Sequence, residues 1–92
     1  MLTVNIAGFL TEFTDGRSQI SLQNPHASLG AALNELWERH LGLRDRVLNE
    51  QGQLRQHVNI FVDNENIRRR ELLNTSLTPD SEITILPSVS GG

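Results

Sequence analysis

Cysteine is absent from this chain. Without thiols the protein can form no disulfide, use no thiolate nucleophile and build no cysteine-based zinc site. The three histidines, His26, His40 and His57, stand far apart in the sequence and have no cysteine partner. We therefore expect neither a metal site nor a histidine-based catalytic set.

Lysine is absent as well, so all eight basic residues are arginines, set against 11 acidic residues. The formal net charge is −3, whereas a nucleic-acid-binding domain normally carries an excess of positive charge. We therefore expect no nucleic acid among the partners. The densest charge run, Arg68–Arg70, is interpreted as a solvated loop beside Glu65 and Glu71; the alternative is a contact with an acidic partner.

Long apolar runs are also missing. No stretch approaches the 18 or so apolar residues that a membrane-spanning helix needs. The first ten residues, MLTVNIAGFL, lack the basic start and long apolar segment of a secretory signal. We expect a cytoplasmic protein that does not contact a membrane.

Short periodic segments are what the chain does contain. Alternating apolar residues predict strands in LTVNIA, QISL, HVNIFV and EITILPSV, where Pro87 ends the last strand or places it at a sheet edge, and a short return strand begins at Ile67. One amphipathic helix is predicted in NPHASLGAALNELWERHLGL, with Ser28 as its N-cap and Glu35 on its solvent side. Gly42 is predicted to end that helix in the left-handed conformation.

The order of these elements, β-β-α-β-β-β, leaves one helix to cover one apolar face of a sheet. It predicts an α+β protein with a β-grasp (ubiquitin-like) fold, in which a mixed sheet of four or five strands curls around one main helix. The first and last strands are expected to lie side by side and parallel. We expect residues 1–87 to form this domain and residues 88–92 to form a flexible tail ending in Gly-Gly.

The tail carries one reactive group, the carboxylate of Gly92. Its pKa of about 3.5 leaves it ionised at neutral pH, so it is a poor electrophile until it is joined to AMP. Six extended residues from Pro87 reach about 20 Å, and Gly91 and Gly92 have no Cβ to obstruct a narrow channel. Taken alone, however, two terminal glycines are more often a frayed chain end than a working group.

The residues before the glycines favour a functional tail. The segment PDSEITILPSVSGG resembles the C-terminal end of the MoaD/ThiS sulfur carriers: an acidic turn, a strand of the type I-x-I-L-P, then V-x-G-G. HVNIFVDNENIR resembles the middle strand and turn of that family. The additional segment LRDRVLNEQGQLRQ, residues 43–56, resembles the longer branch that serves cysteine or sulfur-containing metabolite synthesis. The family turn is usually D-G-D/E, whereas this chain has Thr78-Pro79-Asp80-Ser81-Glu82, in which Pro79 can make the same turn by fixing φ.

The resemblance implies a carrier and co-substrate of partner enzymes, with no catalytic residue of its own. A ubiquitin-activating-type enzyme would adenylate Gly92, using ATP and Mg²⁺ that this chain does not itself bind. A sulfur donor would then convert the adenylate to a thiocarboxylate, and a biosynthetic enzyme would accept the sulfur. Gly91, Ser90 and Val89 would thread the tail into each partner, and the free carrier is expected to be a monomer.

A docking patch is predicted beside the tail. Leu86 and Phe61 lie at outward positions of their strands, and two apolar residues on one face suggest a contact surface. Phe9, just after the first strand, is a third candidate.

Two other functions remain open. The chain could be a ubiquitin-like modifier that is conjugated to lysines of target proteins through Gly92. It could also be the small subunit of a molybdopterin-synthase-like complex, with its tail held in the active site of the large subunit.

Overall fold

The computed structural model describes residues 1–87. The predicted flexible tail, 88–92, lies outside the described residues. Five strands are present, with the bounds β1 Thr3–Ile6, β2 Gln19–Ser21, β3 Val58–Val62, β4 Glu65–Asn66 and β5 Glu82–Pro87. The helices are α1 Leu29–Arg39 and α2 Arg44–Val47, with 3-10 turns at Gly8–Phe13, Ile67–Arg69 and Leu72–Asn74.

The strands form one mixed sheet in the order β2-β1-β5-β3-β4. Strands β1 and β5 are parallel, whereas the other three neighbouring pairs are antiparallel. The first and last strands therefore lie side by side, as predicted. The return strand is β4, which precedes Ile67 rather than beginning with it.

The core lies between one face of this sheet and helix α1. Alternate strand residues point into it, because successive side chains of a strand face opposite sides. The apolar stripe of α1 covers them, and all of its members are buried: Leu29, Ala32, Leu33, Leu36 and Trp37. The predicted α+β fold, a five-stranded mixed sheet with one main helix, is confirmed.

Helix α1 begins where the sequence predicts and ends earlier than expected. The Ser28 hydroxyl accepts a hydrogen bond from the Ala31 amide at 3.3 Å, which is an N-cap. The helix ends at Arg39, and His40 is its C-cap. The glycines with positive φ are Gly8, Gly16 and Gly52, so the prediction of a left-handed stop at Gly42 was wrong.

The side chain of Glu35 does not lie on the solvent side, contrary to prediction. It is only 11% exposed, because it turns back onto the loop that precedes α1. Its carboxylate accepts hydrogen bonds from the amides of Gln23 and Asn24, at 2.9 and 3.3 Å, and contacts the His26 ring at 2.8 Å. Periodicity alone could not show this, because the loop meets the helix only in the folded chain.

The run Arg68–Arg70 is held by the domain itself at two of its three positions. Arg68 donates to the carbonyls of Arg55 and Val58, at 2.8 and 2.9 Å. Arg70 forms an ion pair with Glu65 at 3.1 Å.

The part of the chain that the structure describes contains neither a membrane-spanning helix nor a metal-ligand cluster. None of its helices has the length and apolar character needed to cross a bilayer. Likewise, residues 1–87 contain no group of three or more His, Asp or Glu side chains placed to hold a metal ion.

Candidate functional site at the root of the tail

Strand β5 fixes the point from which the tail starts. It is the central strand of the five, with β1 on one side and β3 on the other. Pro87, its last residue, is opposite Val58, and the Ala7 amide donates to the Ile85 carbonyl at 3.0 Å. Because both neighbours hold this end of β5, the chain leaves the sheet from a well-fixed position.

Gly8 packs directly under that position. It has a φ of +64°, in the left-handed region, and a Cβ placed on it would lie 3.1 Å from Cγ of Pro87. Glycine is therefore favoured here twice, by its backbone conformation and by the close approach of the proline ring.

Leu86 and Phe61 lie on the outer face of the sheet, as the alternation predicted. In the β3–β5 register Leu86 is opposite Asn59 and Phe61 is opposite Thr84, which makes the two apolar residues diagonal neighbours. Both are half-buried. Polar residues surround them, and the Asn5 amide reaches the Thr84 hydroxyl at 3.4 Å. The predicted pair is thus brought together, whereas its docking role stays a prediction.

Phe9 lies at the tail root but away from that pair. It is 57% exposed and lines a surface cavity of about 290 Å³ together with Val58 and Pro87. Val58 and Pro87 are on the core side of their strands, because they alternate with the outward-facing residues. Phe9 therefore flanks the tail root on the side opposite Leu86 and Phe61.

His57 lines the same cavity, together with three charged residues that the sequence did not single out: Asp45, Arg46 and Arg55. These residues come from the segment 43–56 and from the residue that follows it. Their proximity to Pro87 depends on how this segment folds against β3 and β5, and no local pattern reports it.

The reactive and threading positions proposed for the tail, Gly92, Gly91, Ser90 and Val89, lie outside the described residues. What the structure supplies is their starting point at Pro87, with an apolar pair on one side and a charged cavity on the other.

Comparison with known proteins identifies relatives across the whole chain. The family model described as the ThiS family matches residues 4–92. The sulfur carrier protein CysO of Mycobacterium tuberculosis is 32% identical over 93 residues, which cover 99% of this chain and 98% of that protein.

Solved structures agree with this match. A chain in the crystal structure of the BexX/CysO complex of Amycolatopsis orientalis aligns with a TM-score of 0.88 and 27% identity, covering 100% of both chains. The solution structure of a small archaeal modifier protein from Methanosarcina acetivorans aligns with a TM-score of 0.81 and 29% identity, covering 99% of this chain and 95% of that one.

Proposed function

Because this chain belongs to the ThiS family, we propose that it is a sulfur-carrier protein whose Gly92 carboxylate is adenylated and then converted to a thiocarboxylate. The resemblance drawn from the ILPSVSGG motif is confirmed at the level of the family. The single observation that supports the proposal most is the match to a sulfur carrier over almost the full length of both chains.

The chemistry follows from the electrophilicity of the tail. A carboxylate resists attack, because the attacking group would add charge to an anion. Attack of the Gly92 carboxylate on the α-phosphorus of ATP releases pyrophosphate and gives a mixed anhydride. A donor that supplies sulfur at the oxidation level of sulfide then attacks the carbonyl, AMP leaves, and a thiocarboxylate remains.

The fold suits this cycle. The carrier itself contributes no catalytic residue; its domain presents the tail from the central strand, and partner enzymes supply ATP, Mg²⁺ and the sulfur donor. The apolar pair Leu86 and Phe61 offers a contact surface beside the tail. A relative of similar fold is found in a complex with BexX, which supports a protein that works through partners.

Removal of Gly92 is the direct test. The shortened protein should support no ATP–pyrophosphate exchange by its adenylating enzyme, since the carboxylate would stop one residue short of the nucleotide. Circular dichroism should be unchanged, because every core residue lies within the domain. A Ser88→Ala variant, which keeps the terminal glycines, is the matched control and should support exchange. Normal exchange by the shortened protein would contradict the proposal.

Conjugation to proteins is the second candidate, and the likeness to an archaeal modifier protein favours it specifically. Intact mass of the protein recovered from cells separates the two. A carrier shows the exchange of one oxygen for sulfur, whereas a modifier is found attached to much larger targets. Stable co-purification with a larger subunit would instead favour the molybdopterin-synthase-like role.

A further inference from the structure

The segment 43–56, to which the proposed function gives no role, is a well-anchored part of the domain. Leu43, Val47 and Leu48 are buried in the core. The Asn49 side chain accepts hydrogen bonds from the amides of Gln51 and Gln53, both at 2.9 Å, and closes the turn. The segment is therefore a fixed platform that can hold surface side chains in place.

Two arginines of this platform, Arg46 and Arg55, contact an aromatic ring and backbone carbonyls rather than carboxylates. The guanidinium of Arg46 lies 4.8 Å from the centroid of the Phe13 ring. Nε of Arg55 donates to the carbonyls of Asp45 and Leu48, at 2.9 and 3.2 Å. Within residues 1–87 no carboxylate forms an ion pair with either arginine, and the Asp45 carboxylate contacts Arg44 instead.

Both arginines line the cavity that Phe9 and Pro87 share at the tail root. Asp45 lines the same cavity, so two arginines stand against one carboxylate there, a local excess of positive charge on a chain whose formal net charge is −3. Any enzyme that takes the tail into a channel must close around Pro87. The surface around the mouth of that channel then faces Arg46 and Arg55.

We propose, building on the proposed function, that Arg46 and Arg55 form a cationic rim that docks on a carboxylate-rich surface at the mouth of the tail channel of the adenylating enzyme. The adenylating enzyme is the partner that meets the unmodified carrier first. Charges of this kind mainly steer association and fix orientation, so they act on binding of the carrier rather than on the chemical step.

The test is ATP–pyrophosphate exchange by the adenylating enzyme of the same organism, measured against carrier concentration. Arg46→Glu should raise the KM for the carrier about three- to tenfold at low salt, with kcat unchanged at saturation. The difference in KM between Arg46→Glu and the wild type should become smaller at about 0.5 M salt, where the Debye length is only a few ångströms. Arg46→Lys, which keeps the charge, should restore most of the wild-type KM.

Arg17→Glu is the matched control for net charge. Arg17 is exposed, forms no ion pair within the described residues, and is not among the residues that line the cavity. It should change the KM much less than Arg46→Glu. Equal effects of the two reversals would overturn the proposal, because they would report total charge and no local rim.

Two further outcomes also overturn it. An unchanged KM for both Arg46→Glu and the neutral Arg46→Gln would show that no acidic surface faces the rim. A rise in kcat for Arg46→Glu would show that the arginines restrain the carrier's own terminal carboxylate. Absence of exchange with wild-type carrier would contradict the proposed function itself, and this outcome is distinct from all the others.

Discussion

At the scale of single residues, the tail root depends on one glycine. Gly8 has a φ of +64° and lies against the Pro87 ring, so its lack of a side chain relieves both backbone strain and a close contact. Gly16 has a similar φ of +79°, but a Cβ there would meet nothing within 4 Å. A side chain at Gly16 would therefore meet backbone strain alone, whereas one at Gly8 would meet backbone strain and a steric contact.

Gly8→Ala should lower the free energy of unfolding by about 2–3 kcal/mol, since a left-handed alanine is strained and its methyl group would press on Pro87. Gly16→Ala, the control, should cost about 1 kcal/mol from the strain alone. Urea denaturation followed by circular dichroism measures both. Equal losses would mean that the Pro87 ring moves aside without cost.

At the scale of elements, Glu35 ties the loop before α1 to the helix. Its carboxylate binds two backbone amides, those of Gln23 and Asn24, and the His26 ring. Burial raises the pKa of the Glu35 carboxyl, but the hydrogen bonds from His26 and the two backbone amides lower it by more. The pKa in the folded protein is therefore below the usual value of 4.5. The folded state therefore favours the ionised form.

Glu35→Gln should lower the free energy of unfolding by about 1–2 kcal/mol at neutral pH, because it removes charge-assisted hydrogen bonds. Because the folded pKa is lowered, the contribution of Glu35 is present above the usual pKa and is lost as pH falls through the folded pKa. The difference in the free energy of unfolding between the variant and the wild type should therefore become smaller below pH 4.5. Urea midpoints across this range measure it.

Glu38→Gln is the control for the Glu35 prediction. Glu38 is on the same helix, is exposed and pairs with no arginine or histidine in the described part of the chain. It should change stability little at any pH. A pH-independent loss in Glu35→Gln would contradict the assigned role of the carboxylate.

At the scale of the whole molecule, the two faces of the sheet differ. Helix α1 covers one face, and the other carries polar residues around the half-buried pair Leu86 and Phe61. Within residues 1–87 this pair stays partly exposed beside the start of the tail, so a partner that binds the tail could remove its remaining apolar area from water, which favours association.

Leu86→Glu should weaken binding to the adenylating enzyme about tenfold or more, because an unpaired charge would be desolvated in the contact. The domain should stay folded, since Leu86 points away from the core. Ser21→Glu, on the same outer face but on edge strand β2, is the control. Calorimetric titration measures the affinity for the enzyme, and thermal melts show whether the variant is folded. Unchanged affinity, or unfolding of Leu86→Glu, would contradict the docking role.

The fold and the family can both be predicted from the sequence alone. Strand and helix periodicity, the Ser28 cap and the element order predicted a sheet around one helix, because these signals are local. The ILPSVSGG motif indicated the family and directed attention to Gly92. These conclusions required no knowledge of which residues meet in space, beyond the fold analogy that placed the first strand beside the last.

The surroundings of the tail root, by contrast, depend on contacts between segments that are distant in the sequence. Gly8 and Pro87 are far apart in sequence, and they meet because β1 and β5 are parallel neighbours. Arg46 and Arg55 reach the same place because segment 43–56 folds against Phe13 and Val58. Likewise, Glu35 is drawn inward by backbone amides of a loop, although its helical position predicts solvent. Each of these contacts joins distant segments, and a local pattern contains no information about them.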